Sequence, residues 1–240
     1  MNTIKKPFLV FLLLVTKLVS ADEGMWLPQL LGQLNEKQMK SLGMKISASD
    51  IYNINKGSLK DAIVSFGGFC TGEIISDKGL LLTNHHCGFD VIQDHSSIEN
   101  NYLRDGFWAK HHGEELPATG LFVTFIVRID EVTKQILNGV TASMSQTERQ
   151  SQIDRNIAEL RKTGKKETYQ DILIRPFFEG NKYYLFVTET YRDIRLVGAP
   201  PSSTGNFGKD TDNWMWPRHT GDFSMFRIYA GKDNKPAEYS

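Results

Sequence analysis

A mainly β fold with helical additions is what this sequence predicts, and three observations carry that reading. Runs of β-branched, aliphatic and aromatic residues are separated by short turns: 70–76 and 80–84 flank Asp77-Lys78-Gly79, and 171–178 and 183–190 flank a turn at Gly180-Asn181. Helical periodicity is sustained over several turns in one stretch, 145–164, where Ile153, Ile157 and Leu160 share a face of an otherwise polar segment. The first hairpin also delivers His85, His86 and Cys87 directly from its second strand, with Cys70 at the start of its first.

In chain order, residues 1–21 read as a signal peptide. Lys5 and Lys6 precede an apolar run at 8–15 that is too short to span a bilayer, and Val19-Ser20-Ala21 is a small-residue cleavage site. The mature chain, 22–240, is then expected to be exported, with no membrane span after signal removal. Residues 35–42 have helical spacing, and the polar run 47–50 offers an N-cap before Ile51. Residues 61–66 alternate as a strand that Gly67-Gly68 breaks. Beyond the first hairpin, 89–95 and 96–103 are expected to be helical, and Pro117 and Gly120 lead into a strand at 121–129. The helix at 145–164 is expected on the outside of the β structure with its charges solvated. After the second hairpin come a strand at 193–197, a Gly/Pro/Ser/Thr-rich loop at 198–212, an aromatic and polar segment at 213–216 and a last strand at 223–230.

Charge is balanced, with 28 basic and 28 acidic residues in 240. Signal removal takes Lys5, Lys6 and Lys17, leaving 25 basic against 28 acidic and a net charge of −3. With neither a basic nor an acidic tail, the composition argues against nucleic acid or a charged membrane surface as the main partner. Two cysteines in an exported chain favour a Cys70–Cys87 disulfide, whose loop closure contributes about 3 kcal/mol. Two free buried thiols are the alternative.

A histidine at a hairpin exit, beside a cysteine able to staple it to the neighbouring strand, suits the N-terminal barrel of a chymotrypsin-like serine protease, whose general base needs a rigid mount. In an extended segment His85 and His86 point to opposite sides, and His86, next to Cys87, is the better base. Either histidine could instead be a polar loop residue. Zinc on His85, His86 and Cys87 is a further alternative, weakened because adjacent ligands chelate poorly and no Cys-x-x-Cys or His-Glu-x-x-His accompanies them. A catalytic imidazole needs an orienting acid, and Asp222, after Gly221 at the mouth of the last apolar strand, is the best supplier; a turn aspartate capping that strand is the competing reading. Trp214 and Trp216 at strand spacing are either core or an aromatic wall beside Asn213. No serine sits in a Gly-x-Ser-Gly turn, and the 198–209 loop fails the phosphate-binding pattern.

Two stretches together resemble the bacterial S46 dipeptidyl peptidases: Gly68-Phe69-Cys70-Thr71-Gly72 through Thr83-Asn84-His85-His86-Cys87-Gly88, and the Trp-rich Asp210-Thr211-Asp212-Asn213-Trp214-Met215-Trp216-Pro217-Arg218-His219-Thr220-Gly221-Asp222-Phe223-Ser224. The resemblance implies a chymotrypsin-like double β-barrel with an inserted α-helical domain mostly beyond the chain end. It implies release of dipeptides from peptides with a free N-terminus, with His86 as general base, Asp222 as its orienting acid, and Asn213 and Trp214 binding the α-amino group. It implies no metal or other cofactor, a homodimer, and the periplasm or surface of a Gram-negative bacterium. The nucleophilic serine, oxyanion donors and specificity residues would lie after Ser240, so this stretch alone is expected to be inactive. A non-catalytic binding protein that keeps the barrel, and an exported metal-dependent hydrolase, are the competing functional classes.

Overall fold

The computed structural model describes residues 26–53, 56–207, 215–217 and 219–230. The expected signal peptide, Asn213 and Trp214 lie outside these residues. Ten strands form one antiparallel sheet: β1 Ile63–Phe66, β2 Cys70–Ile74, β3 Leu80–Thr83, β4 Phe107–Trp108, β5 Leu116–Pro117, β6 Val123–Glu131, β7 Gln170–Phe177, β8 Lys182–Tyr191, β9 Asp193–Ala199 and β10 Ser224–Tyr229. Their spatial order is β4-β9-β10-β3-β2-β1-β6-β8-β7, with β5 also on β9. This is the mainly β class that the sequence predicts.

The sheet curls because one strand serves both ends of the path. β8 passes through Arg192 straight into β9, so β9-β10-β3-β2-β1-β6-β8 returns to its start. Inside the curl, Val64, Phe66, Leu81, Val123, Ile194, Leu196 and Phe226 form one core. Each lies on an inward-facing position of its strand, as the two-residue period requires. Phe66 and Phe226 meet with ring centroids 4.9 Å apart. β10 is fixed at its far end by a buried carboxylate. Glu115 accepts from Arg227 Nε at 2.9 Å and from Tyr229 Oη at 2.8 Å, and burial together with that carboxylate pushes the Tyr229 phenol up to about 12.

A second core lies where the outer halves of β6 and β8 run on beyond the curl with β7. The expected amphipathic helix covers it. With α1 Leu31–Leu34, α2 Glu36–Ser41, α3 Ala48–Ile51, α4 His85–Asp94, α5 Tyr102–Asp105 and α6 Thr133–Ile136 numbered in chain order, this helix is α7, Gln146–Thr163. Its start is set by a capping box: Ser145 Oγ accepts the Glu148 N–H and the Glu148 carboxylate accepts the Ser145 N–H. Ile153 is buried against Ile136, Ile174, Leu185 and Val187, with Ile157 and Leu160 packed beside it. Residues 26–52 form a separate compact unit holding α1, α2 and α3. There Ser47 caps α3 in a capping box with Asp50, at the expected place.

Several expected boundaries shift for identifiable reasons. The strand expected at 61–66 begins at Ile63, because Ser58 and Asp61 form a capping box around a 3-10 turn, Leu59–Ala62. The strand expected at 70–76 ends at Ile74. Ser76 leaves it to accept the Lys78 and Leu80 N–H groups, and Gly79 takes the expected positive φ, 67°. The helix expected at 96–103 shrinks to α5, whose start is set by Asn101 accepting the Arg104 N–H. The second hairpin turn spans four residues, not two. Positive φ falls on Phe178, Glu179 and Gly180, while the Asn181 side chain donates to the Phe178 carbonyl at 2.8 Å. The expected loop at 198–212 contains a short helix, α8 Ser202–Gly205.

Candidate active site

His85 and His86 do not lie in an extended segment. They open α4, at its first two positions, with Asn84 as the residue before the helix. Successive helical side chains diverge by about 100° rather than 180°, so both imidazoles face the same cleft. The sequence signal for this helix is weak, since histidine, cysteine and glycine are poor helix formers. Tertiary contacts supply what propensity lacks. Gly88 brings the helix down on β10: a Cβ there would stand 2.8 Å from Ser224 Oγ and 3.0 Å from the Phe226 ring. Cys87 is tied to Cys70 of β2 by a disulfide, so both thiols are bonded rather than free.

Asn84 is a residue type that caps helices, yet its side chain makes no capping bond. It turns away and donates to both Oδ2 and the backbone carbonyl of Asp222, each at 3.1 Å. Asp222 takes over the vacant role. Its Oδ1 accepts the His86 backbone N–H at 3.1 Å, so a carboxylate from 136 residues away sits at the N-terminus of α4, where the helix dipole favours negative charge. Its other oxygen, Oδ2, lies 2.7 Å from Nδ1 of the His86 ring. Asp222 does cap an element, but that element is α4 and not the strand that follows it. Ser224, two residues later at the start of β10, is fully buried and donates to the Asn84 carbonyl at 2.8 Å. That bond commits its hydroxyl to structure.

The Asp222 carboxylate is half-buried, and the His86 ring is 70% exposed. Fixation of this acid comes from directed bonds to both of its oxygens. With Nδ1 engaged by the carboxylate, Nδ1 carries the proton and Nε2 keeps its lone pair. A cleft of about 440 Å³ adjoins the pair, lined by His85, Phe89, Ser202, Thr220 and both members. His85 is buried, and burial holds its pKa below the ordinary imidazole value; Asp222 and a hydrogen bond to the Pro200 backbone pull upward without reversing the shift.

Of the other expected site residues, Asn213 and Trp214 lie outside the described residues, and Trp216 is exposed. Cys70, His86 and Cys87 bring potential ligand atoms within 4.8 Å of one another, but both sulfurs are spent in the disulfide, and zinc would need them as thiolates. Sequence reasoning missed Asn84. Its partner is 138 residues away, and no local pattern marks such a pairing.

Comparison with known proteins adds a family context. The family model described as Peptidase S46 matches residues 21–240. An Asp/Glu-specific dipeptidyl-peptidase from Capnocytophaga gingivalis is 60% identical over 226 residues, covering 94% of this chain and 32% of that protein. Dipeptidyl-peptidase 7 from the same organism is 50% identical over 230 residues, covering 96% of this chain and 32% of that protein. The crystal structure of Porphyromonas endodontalis DPP11 in complex with the dipeptide Arg-Asp matches with a TM-score of 0.79 at 49% identity, covering 92% of this chain and 32% of that one. The chain thus spans about a third of the length of the curated relatives it matches.

Proposed function

The chain belongs to the S46 peptidase family, and from that premise we propose that the protein containing it is an exported serine-type dipeptidyl peptidase in which His86 is the general base and Asp222 its orienting acid. The observation that carries this reading is the double contact of Asp222 with His86, one oxygen on the backbone N–H and the other 2.7 Å from Nδ1. An acid bonded in that way fixes the tautomer, the ring rotation and the backbone of its base together.

The chemistry follows from the tautomer. Nε2 takes the proton of a serine hydroxyl supplied from outside this stretch as that oxygen attacks the second peptide carbonyl, and returns it to the leaving amine. Asp222 stays ionised throughout and stabilises the imidazolium. The names of the relatives support dipeptide release, and the dipeptide-bound structure supports a peptide ligand. Asn213 and Trp214, carried over from the family motif, hold the free α-amino group in this proposal. Without the serine, residues 1–240 alone release nothing. Export rests on residues 1–21, while the periplasm or cell surface of a Gram-negative bacterium and a homodimer come from the family resemblance and are part of the same proposal.

The test is dipeptide release by the full-length protein from matched peptides with free and acetylated N-termini. Release from the free peptide only is expected, and His86→Ala should lower turnover by several orders of magnitude while the melting temperature holds. Equal cleavage of both peptides, or a His86→Ala protein as active as wild type, overturns the proposal.

A further inference from the structure

Asn84 is not used by the mechanism above, yet its amide nitrogen reaches two oxygens of Asp222, the carboxylate Oδ2 and the backbone carbonyl, each at 3.1 Å. A carboxylate and a carbonyl only accept, so the amide presents its nitrogen and spends both N–H groups on one residue. The side chain is exposed and fills no core space. An asparagine in its place before a helix ordinarily accepts the N–H of the second or third helical residue. Here Asp222 Oδ1 has taken the His86 N–H, and Asn84 makes no capping bond.

The backbone on both sides of Asp222 is already fixed. The Gly221 N–H donates to the Thr204 carbonyl at 3.0 Å, and the Phe223 N–H donates to the Gly221 carbonyl at 2.9 Å, closing a three-residue turn with Asp222 at its centre. Ser224 pairs with Thr83 where β10 meets β3, and its hydroxyl donates to the Asn84 carbonyl at 2.8 Å. What this leaves open is rotation of the carboxylate on its own backbone. A nitrogen bonded at once to the Asp222 carbonyl and to Oδ2 closes that freedom, because it fixes where Oδ2 stands relative to the main chain. Oδ2 is also the oxygen 2.7 Å from Nδ1 of His86. The atom that Asn84 places is the atom that the imidazole meets.

We propose that Asn84 is a positioning residue that sets the rotation of the Asp222 carboxylate and, through it, the Nδ1–H tautomer of His86. This deepens the proposed function and rests on the reading of His86 and Asp222 as base and acid. A helix cap is the competing role, and one substitution separates the two. Asn84→Asp keeps the shape and caps a helix as well as asparagine does. When ionised it has no donor, and it sets a second carboxylate against Asp222, where like charges repel. Asn84→Ala removes the donor without adding charge. Two readouts on the full-length protein decide the matter: the kinetics of dipeptide release, and the nitrogen-15 shifts of the His86 ring at about pH 8, which report the nitrogen that carries the proton.

For Asn84→Ala we expect a fall in kcat of about tenfold to hundredfold with KM little changed, and a move of the His86 ring from the Nδ1–H towards the Nε2–H tautomer. For Asn84→Asp we expect a larger fall in kcat than for Asn84→Ala. An Asn84→Asp protein more active than Asn84→Ala overturns the proposal, because that is the order a helix cap gives. So does a wild-type kcat or an unmoved tautomer in Asn84→Ala; loss of melting temperature and kcat with the tautomer unmoved marks a structural role only. If Asn84→Asp does not fold, Asn84→Ala must give both losses; if neither folds, Asn84 holds the fold and not the pair, and the proposal fails. If the wild type releases no dipeptide, the functional reading fails, and the ring shifts alone still decide whether Asn84 orients the pair.

Discussion

The barrel and the helix-covered hairpin share β6 and β8, yet they are held by different kinds of contact. Val123 and Phe125 of β6 pair within the barrel, and Arg128 to Glu131 of the same strand pair with β8 under α7. Under α7, the core partners Ile136, Ile153, Ile174 and Leu185 follow one another within about fifty residues, and an amphipathic helix on a hairpin explains the whole arrangement. In the barrel, Phe66 meets Phe226 and Asn84 meets Asp222 across more than half the chain. The His86–Asp222 pair sits in the part assembled from distant segments. There the two side chains are locked together independently of local propensity, by contacts between segments 136 residues apart.

The difference is open to attack at both ends. The largest effect on folding is expected for Phe226→Ala, which empties the barrel centre and undercuts Gly88 of α4; a loss of about 3–5 kcal/mol in denaturant unfolding, together with loss of dipeptide release, would mark the two as coupled. Ile153→Ala should cost about 2–5 kcal/mol in the same assay but leave turnover per folded molecule near wild type. Turnover that falls in step with stability at Ile153 would erase the distinction between the two regions. A Cys70→Ser, Cys87→Ser double variant should lose about 3 kcal/mol, with the loss confined to the barrel and hydrogen exchange of α7 unchanged.

The smallest effect expected is on pH dependence. Burial lowers the His85 pKa, so as pH falls the unfolded chain takes up this proton first. The stability that neutral His85 contributes is complete above the ordinary histidine pKa and is lost as pH falls through the lowered value. Unfolding midpoints measured from about pH 8 down to about pH 5 should therefore decline less steeply in His85→Leu than in wild type. Parallel declines would remove His85 from the acid response.

What could be read in advance divides along the same line. Helix α7 and the pairing of β7 with β8 were legible because their periods are written locally, in Ile153, Ile157 and Leu160 on one helix face and in two β-rich runs on either side of Gly180. The four-residue turn at Phe178 was not, because Phe and Glu at positive φ obey no turn preference and depend on Asn181 to hold the loop. His86, Asp222 and the two cysteines could be named from residue type and setting. The start of α4 at His85 could not, since the acceptor at its first turn is a carboxylate 136 residues further along the chain, brought in at the mouth of β10 where that strand pairs with β3. Asn84 stayed hidden for the same reason, and its usual capping role pointed the wrong way.

In the proposed mechanism Asp222 serves His86 and does not merely close a helix end. Turnover of the full-length Asp222→Asn protein tests this most directly, because asparagine keeps the shape and an acceptor for the His86 N–H but gives up the charge. We expect dipeptide release to fall by about 10⁴-fold with folding intact; release near the wild-type rate would contradict the pairing on which the proposed mechanism depends.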